Sequence, residues 1–280
     1  MRLFFTHPEL LILYRISSSF SFLLFYVSPL TSLSVYGTIF RIESEGNVML
    51  PKFIMTREEN IFVAKRNIID YIWKSAKLEG LGVTYPDTEA IFNGMIAPNV
   101  KVDEIIAVNN LKHAWQFLLD TLDAPVDYPY VCQLNKIVGG DNLIINAGFI
   151  RKVPVSIGGT SWKPDMPIEA QIKEEIANVL STSEPTERAV TLTLYLMRKQ
   201  LFLDGNKRTS MLAGNQIMIA NGCGIISVPI EHQPEFTKRL VEYYESGEMD
   251  ELKAFVYETS IDGIDFRQNN NKEDIPTLTM

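Results

Sequence analysis

The stretch Gln200-Leu201-Phe202-Leu203-Asp204-Gly205-Asn206-Lys207-Arg208 decides how the chain is read. It joins two segments with apolar residues at helical spacing, 186–200 and 206–220, so it is a loop that opens a helix. Asn206 is a residue type suited to the helix N-cap. The first amides of such a helix have no intrahelical partner and, with the helix dipole, form an anion site. Gly205 lets backbone approach a phosphate with no Cβ in the way. Lys207 and Arg208 add positive charge, and arginine can hold phosphate oxygens in a bidentate fork. Asp204 offers a hard carboxylate of the kind that holds Mg2+ beside phosphate oxygens. The same residues also describe a polar turn that merely caps a helix.

Outward from this loop, the rest reads as helices. Apolar periodicity predicts helices over 57–78, with Gly80 as its C-cap, and over a short segment after Thr84 through Phe92. Others are expected over 102–122, 130–138, 168–180, 233–244 and 249–259. Pro125 and Pro129 punctuate the loop before the fourth of these. Between 146 and 167, Gly148, Pro154, Gly158, Gly159, Pro164 and Pro167 exclude a long helix, and the runs 149–153 and 155–157 favour extended chain. A short hairpin or flap is expected there. The fold class is mostly α with one small β element. The polar end from Asp262, with Asn269-Asn270-Asn271, reads as a frayed tail.

Composition narrows the function. The 280 residues are 46% hydrophobic and 21% charged, with net charge -8 and pI about 5.1. A basic footprint is missing, which argues against a nucleic-acid partner. Cys132 and Cys223 stand apart from each other and from His7, His113 and His232, so no zinc site is legible. Two lone thiols fit a reducing, cytoplasmic setting and small buried side chains.

The first fifty residues differ from the rest. Segment 16–40 carries no charge, yet it is rich in serine and threonine and contains Pro29 and Gly37. Three readings stand: translation starting at Met49 or Met55, a membrane or export segment, or an atypical extension. The expected division is an extension over 1–50, a helical region over 51–100, a core over 101–262 and a tail over 263–280.

Residues 200–208 resemble the signature of the Fic family, H-x-F-x-D/E-G-N-G/K-R. Phe202 matches its aromatic anchor, Asp204 its metal ligand, Gly205 and Asn206 its phosphate loop, and Arg208 its phosphate-binding arginine. Two further segments are similar to the family. Ser75-Ala76-Lys77-Leu78-Glu79-Gly80 resembles its inhibitory helix motif, S/T-x-x-x-E-G/N, with Ser75 and Glu79 on one helical face. Gly148-Phe149-Ile150-Arg151-Lys152-Val153 through Ile157-Gly158-Gly159 resembles the flap that receives a target peptide by strand addition. The resemblance runs from about residue 64 to 260 and implies a Fic-type helical bundle with a short β-hairpin flap. It also implies ATP and Mg2+ as ligands, and AMP transfer to a hydroxyl of a protein docked on the flap.

The chain departs from that pattern where the chemistry is most demanding. Gln200 stands at the position of the family's histidine, which accepts the hydroxyl proton. A carboxamide does not titrate near neutrality and is no useful base. Loss of a general base costs on the order of 10²–10⁴ in rate. Leu201 replaces a common proline, and Met211 stands where a second arginine usually pairs with the inhibitory glutamate. Lys207 occurs in place of glycine in some branches, including the Doc-like kinases. Three functions follow: a weak or altered AMP transferase, a non-catalytic binder of nucleotide or peptide, and a Doc-like phosphotransferase. Exposed helical faces would allow a homodimer without specifying one.

Overall fold

The computed structural model describes residues 11–15, 22–26, 37–39 and 48–266. Its contacts divide the chain into two units, Met1–Val48 and Met49–Met280. In the first, β1 (Leu11–Arg15), β2 (Phe22–Tyr26) and β3 (Gly37–Ile39) form an antiparallel sheet in that order. No helix among the described residues is long and apolar enough to cross a membrane. The expected polar run 269–271 lies outside the described residues.

The second unit is helical: α1 (Arg57–Leu78), α2 (Tyr85–Phe92), α3 (Val102–Asp120), α4 (Tyr128–Val138), α5 (Glu169–Leu180), α6 (Pro185–Lys199), α7 (Asn206–Ala220), α8 (Gln233–Ser246) and α9 (Asp250–Thr259). Local sequence explains their starts. Thr56 and Thr84 cap α1 and α2 through capping boxes with Glu59 and Asp87. Asp127 caps α4, which begins two residues before its expected start, because Pro129 fits a first turn where its missing N–H is not needed. Helix α1 is capped by Glu79, with Gly80 the next residue.

Helix α7 is the axis of the unit. Arg208 to Ile219 are all buried, and the helix packs on α1, α3, α4 and α6. The approach of α6 is close: a Cβ at Gly214 would lie 2.0 Å from Thr193 Oγ1 and 3.0 Å from the Ala189 carbonyl. Phe202 and Leu201, in the loop between them, are 2% and 1% exposed and belong to the core.

Two expectations about β structure change. The flap, 148–159, is irregular, with bends at 149 and 152–153 and turns at 148 and 158–159, and forms no strand ladder. Pro154 has no N–H to give, the Arg151 amide bonds to the Leu201 carbonyl at 2.9 Å, and the Val153 carbonyl accepts from the Arg151 side chain. The groups that would build a hairpin are thus taken by other partners. The β pair of this unit instead joins β4 (Ile225–Ile226) to β5 (Ile261–Asp262), antiparallel. Asp262 is therefore not the first residue of a frayed tail, and Tyr71 donates to its carboxylate at 2.7 Å.

Candidate functional site

The loop between α6 and α7 is built to hold an unusual backbone shape. Gln200 ends α6 in the left-handed region, with φ 48°. Gly205, not Asn206, occupies the N-cap of α7, with φ 75°. A Cβ there would meet Ile144, Asn135 and Val138 at 3.0–3.1 Å, so glycine is required by packing on α4 as well as by its backbone angle. Freed from capping, the Asn206 side chain folds back across the loop. Its Oδ1 accepts from the Phe202 amide at 3.0 Å, and its Nδ2 donates to the Phe202 carbonyl at 2.9 Å and to Gln200 Oε1 at 3.0 Å.

The Gln200 carboxamide is fully engaged by this brace. Its oxygen accepts from Asn206, while its nitrogen donates to the Met197 carbonyl at 2.7 Å and lies 3.5 Å from the Tyr244 hydroxyl. Burial, with Glu79 nearby, pushes the Tyr244 phenol far above its ordinary range, so it is no proton acceptor near neutrality.

One buried asparagine secures the loop from beneath. Asn135, on α4 and 0% exposed, donates to the Asp204 carbonyl at 3.1 Å and to Thr209 Oγ1 at 3.2 Å. Its oxygen accepts from the Gly148 amide at 2.8 Å, which joins the loop to the start of the flap. Sequence reasoning missed Asn135. The available signal was a polar residue among Val131, Leu134 and Val138 on the buried face of α4. Tyr244 was likewise missed and carries no sequence signal.

Above the loop lies a cluster of opposite charges. The ladder of α7 begins with the bond from Thr209 N to the Gly205 carbonyl, so earlier amides lie ahead of it. The Gly205 amide donates to Asp204 Oδ1 at 2.5 Å. The Asp204 side chain is 65% exposed, and Arg208 reaches it at 3.5 Å. Glu79, at the end of α1, faces both cations. Its carboxylate is 3.3 Å from Lys207 Nζ and 3.5 Å from Arg208 Nε, and Lys207 also donates to the Leu78 carbonyl at 3.0 Å. These separations exceed the 2.7–2.9 Å usual for charged hydrogen bonds. Arg208 Nε and Glu79 Oε1 are both buried without a hydrogen bond. Ser75, one turn earlier on α1, lines a small cavity together with Arg208 and Met211.

These residues fit an anion and its metal. The buried N–H of Arg208, the neighbouring Lys207 and the start of α7 would hold phosphate oxygens, and exposed Asp204 would hold Mg2+, which would neutralise phosphate charge.

The flap residues divide by exposure. Phe149 (71%), Lys152 and Val153 (52%) face solvent and Ile150 is half-buried. Arg151 is buried, so it is not a surface for a target. It binds the protein's own carbonyls at Gln200, Val153, Pro164 and Asp165.

Residues 125–218 match the Fic/DOC family. Protein adenylyltransferase fic-1 of Caenorhabditis elegans is 28% identical over 177 residues, which are 59% of this chain and 34% of that protein. The Caenorhabditis briggsae protein of the same name is 26% identical over 179 residues, with the same shares. The chain spans about a third of the length of these curated relatives. Among solved structures, Fic-1 from Caenorhabditis elegans aligns with a TM-score of 0.61 at 23% identity, over 70% of this chain and 62% of that one. A Fic domain containing signaling protein from Bacteroides thetaiotaomicron aligns with a TM-score of 0.59 at 17% identity, over 72% and 84%. At these identities the structures establish a shared helical fold. The similarity to the Fic/DOC family thus lies in residues 125–218, the segment that contains the loop between α6 and α7.

Proposed function

We propose that this chain binds ATP with Mg2+ at residues 204–208 and acts as a protein adenylyltransferase of reduced activity. The observation that carries the binding half is the buried Arg208 Nε, which makes no hydrogen bond beside Lys207 and the start of α7. Phosphate oxygens would satisfy that donor and replace Glu79 against both cations, so Glu79 opposes nucleotide entry in this reading. Met211 removes the usual second arginine, and Lys207 takes its place as a partner of Glu79. AMP transfer rests on the relatives' activity. The exposed flap residues Phe149, Lys152 and Val153 would meet the protein target.

A second reading, a nucleotide binder without turnover, is favoured by one observation. The Gln200 carboxamide is turned inward onto Met197, Asn206 and the Tyr244 hydroxyl, so it takes no proton and is occupied by the protein's own groups.

Incubating the full chain with α-labelled ATP, Mg2+ and cell lysate, beside Gln200→His, separates the two. Labelling by both forms supports a working transferase, and labelling by the histidine form alone supports the binder. Absence of labelling and of calorimetric ATP binding in both would remove the nucleotide reading. Transfer from γ-labelled ATP alone would identify a phosphotransferase.

A further inference from the structure

Arg151 is 2% exposed, and among the described residues its guanidinium makes no ion pair with a carboxylate. Every contact is to a neutral acceptor. Nε donates to the Gln200 carbonyl at 2.7 Å. One terminal nitrogen donates to the Val153 carbonyl at 3.1 Å and to Met166 Sδ at 3.2 Å. The other donates to the carbonyls of Pro164 at 3.3 Å and Asp165 at 2.5 Å. The Arg151 amide completes the set with the Leu201 carbonyl at 2.9 Å. Burial lowers the guanidinium pKa, and the Asp165 charge opposes that.

A guanidinium has five N–H groups in a fixed plane. Here they join three segments: the flap, the return loop 164–166 that follows it, and the residues just before the phosphate loop, 49 positions from Arg151. Gln200 is also the residue held at φ 48°, a conformation that a non-glycine residue keeps only when its surroundings impose it. The return loop has a second attachment. Trp162 stacks on Tyr244, with centroids 5.6 Å apart, and Tyr244 reaches Gln200.

We propose that Arg151 is a positioning residue that makes the flap and the phosphate loop one mechanical unit, so that occupation of the loop is transmitted to the flap. The transmission, though not the clamp, rests on the reading of 204–208 as a nucleotide site. Arg151 fixes the backbone of Gln200 and Leu201 on one side and the height of the flap on the other. Lysine keeps the charge but cannot present five donors in a plane, so Arg151→Lys would uncouple the two without removing the cation.

Amide hydrogen exchange on the full chain tests this. The amides of Arg151 and Phe202, bonded to the Leu201 carbonyl and Asn206 Oδ1, report the two sides of the clamp. The amides of Gly224 and Ile226, held by Asn60 and Asn215 outside the flap, are controls. In Arg151→Lys, exchange at positions 151 and 202 should rise at least tenfold, with the controls within twofold. A uniform rise at all four, or none, would overturn the clamp. Saturating ATP with Mg2+ should slow exchange at position 151 in the unaltered chain. That response should vanish in Arg151→Lys while calorimetric ATP affinity stays within about threefold. A response retained in the variant would overturn the transmission. If the unaltered chain binds no ATP, the nucleotide reading fails and the ligand-free exchange alone decides the clamp. Should the lysine form not fold, low denaturant serves on the unaltered chain: positions 151 and 202 must open together, and separate opening would overturn the proposal.

Discussion

Arg151 and Arg208 are both buried arginines within reach of the same loop, and their surroundings are opposite. Arg151 meets four carbonyls and a thioether at 2.5–3.3 Å and has a partner for each nitrogen. Arg208 meets two carboxylates at 3.5 Å, and its Nε makes no hydrogen bond. One guanidinium is satisfied by the backbone around it. The other is held by loose charge contacts that an incoming anion could improve upon. A buried cation that is already saturated is part of the scaffold, and one left short of partners is available to a ligand.

The largest test of that contrast is stability. Arg151→Leu leaves four carbonyls, one buried and three partly buried, short of a donor and should destabilise the chain by about 2–4 kcal/mol in urea unfolding. Arg208→Leu should cost about 1 kcal/mol or less, because its contacts are long. A reversed order would break the comparison. Ligand binding should rank them the other way. Arg208→Ala should weaken ATP binding by about 1–3 kcal/mol in calorimetry, as expected for a charged hydrogen bond. Next in size is Glu79→Ala, which removes the competitor for Lys207 and Arg208. It should strengthen ATP binding by about 1 kcal/mol, the scale of a partly buried ion pair, and unchanged affinity would show that Glu79 does not compete. The smallest effect sharpens the role of the exposed carboxylate. Asp204→Asn should change unfolding by about 0.5 kcal/mol or less while reducing the Mg2+ dependence of ATP binding.

What the sequence disclosed follows from how local each feature is. Helices α1 and α7 run over their expected residues, because apolar spacing and a threonine cap act within a few positions. The flap is free of helix as expected, but its hairpin is not formed. The competitors for its hydrogen bonds are Leu201 and the Arg151 side chain, and the first lies fifty positions away. Asn206 was expected to cap α7 and instead braces the loop, since Gly205 alone tolerates the left-handed cap against α4. In the site, Lys207, Arg208 and Glu79 were legible as charges. Their convergence is tertiary, as is the hub at Asn135, which reads locally as one polar side chain on an apolar face.

The bond between Tyr71 and Asp262 has a consequence for how fast the charge cluster can respond. It fixes the middle of α1 to β5, and Gln233 holds the Lys74 carbonyl nearby at 2.8 Å. The body of α1 is therefore fastened short of its last turn, and Glu79 stands on a stationary helix. Freeing Arg208 of Glu79 requires only that one carboxylate turn about its own side-chain bonds, while Lys207 keeps its bond to the Leu78 carbonyl. Exposed side chains turn in picoseconds to nanoseconds and a 14% exposed, paired carboxylate turns more slowly, but withdrawal of a whole helix takes microseconds or longer. An anion arriving at this loop would find its competitor gone as often as a rotamer changes.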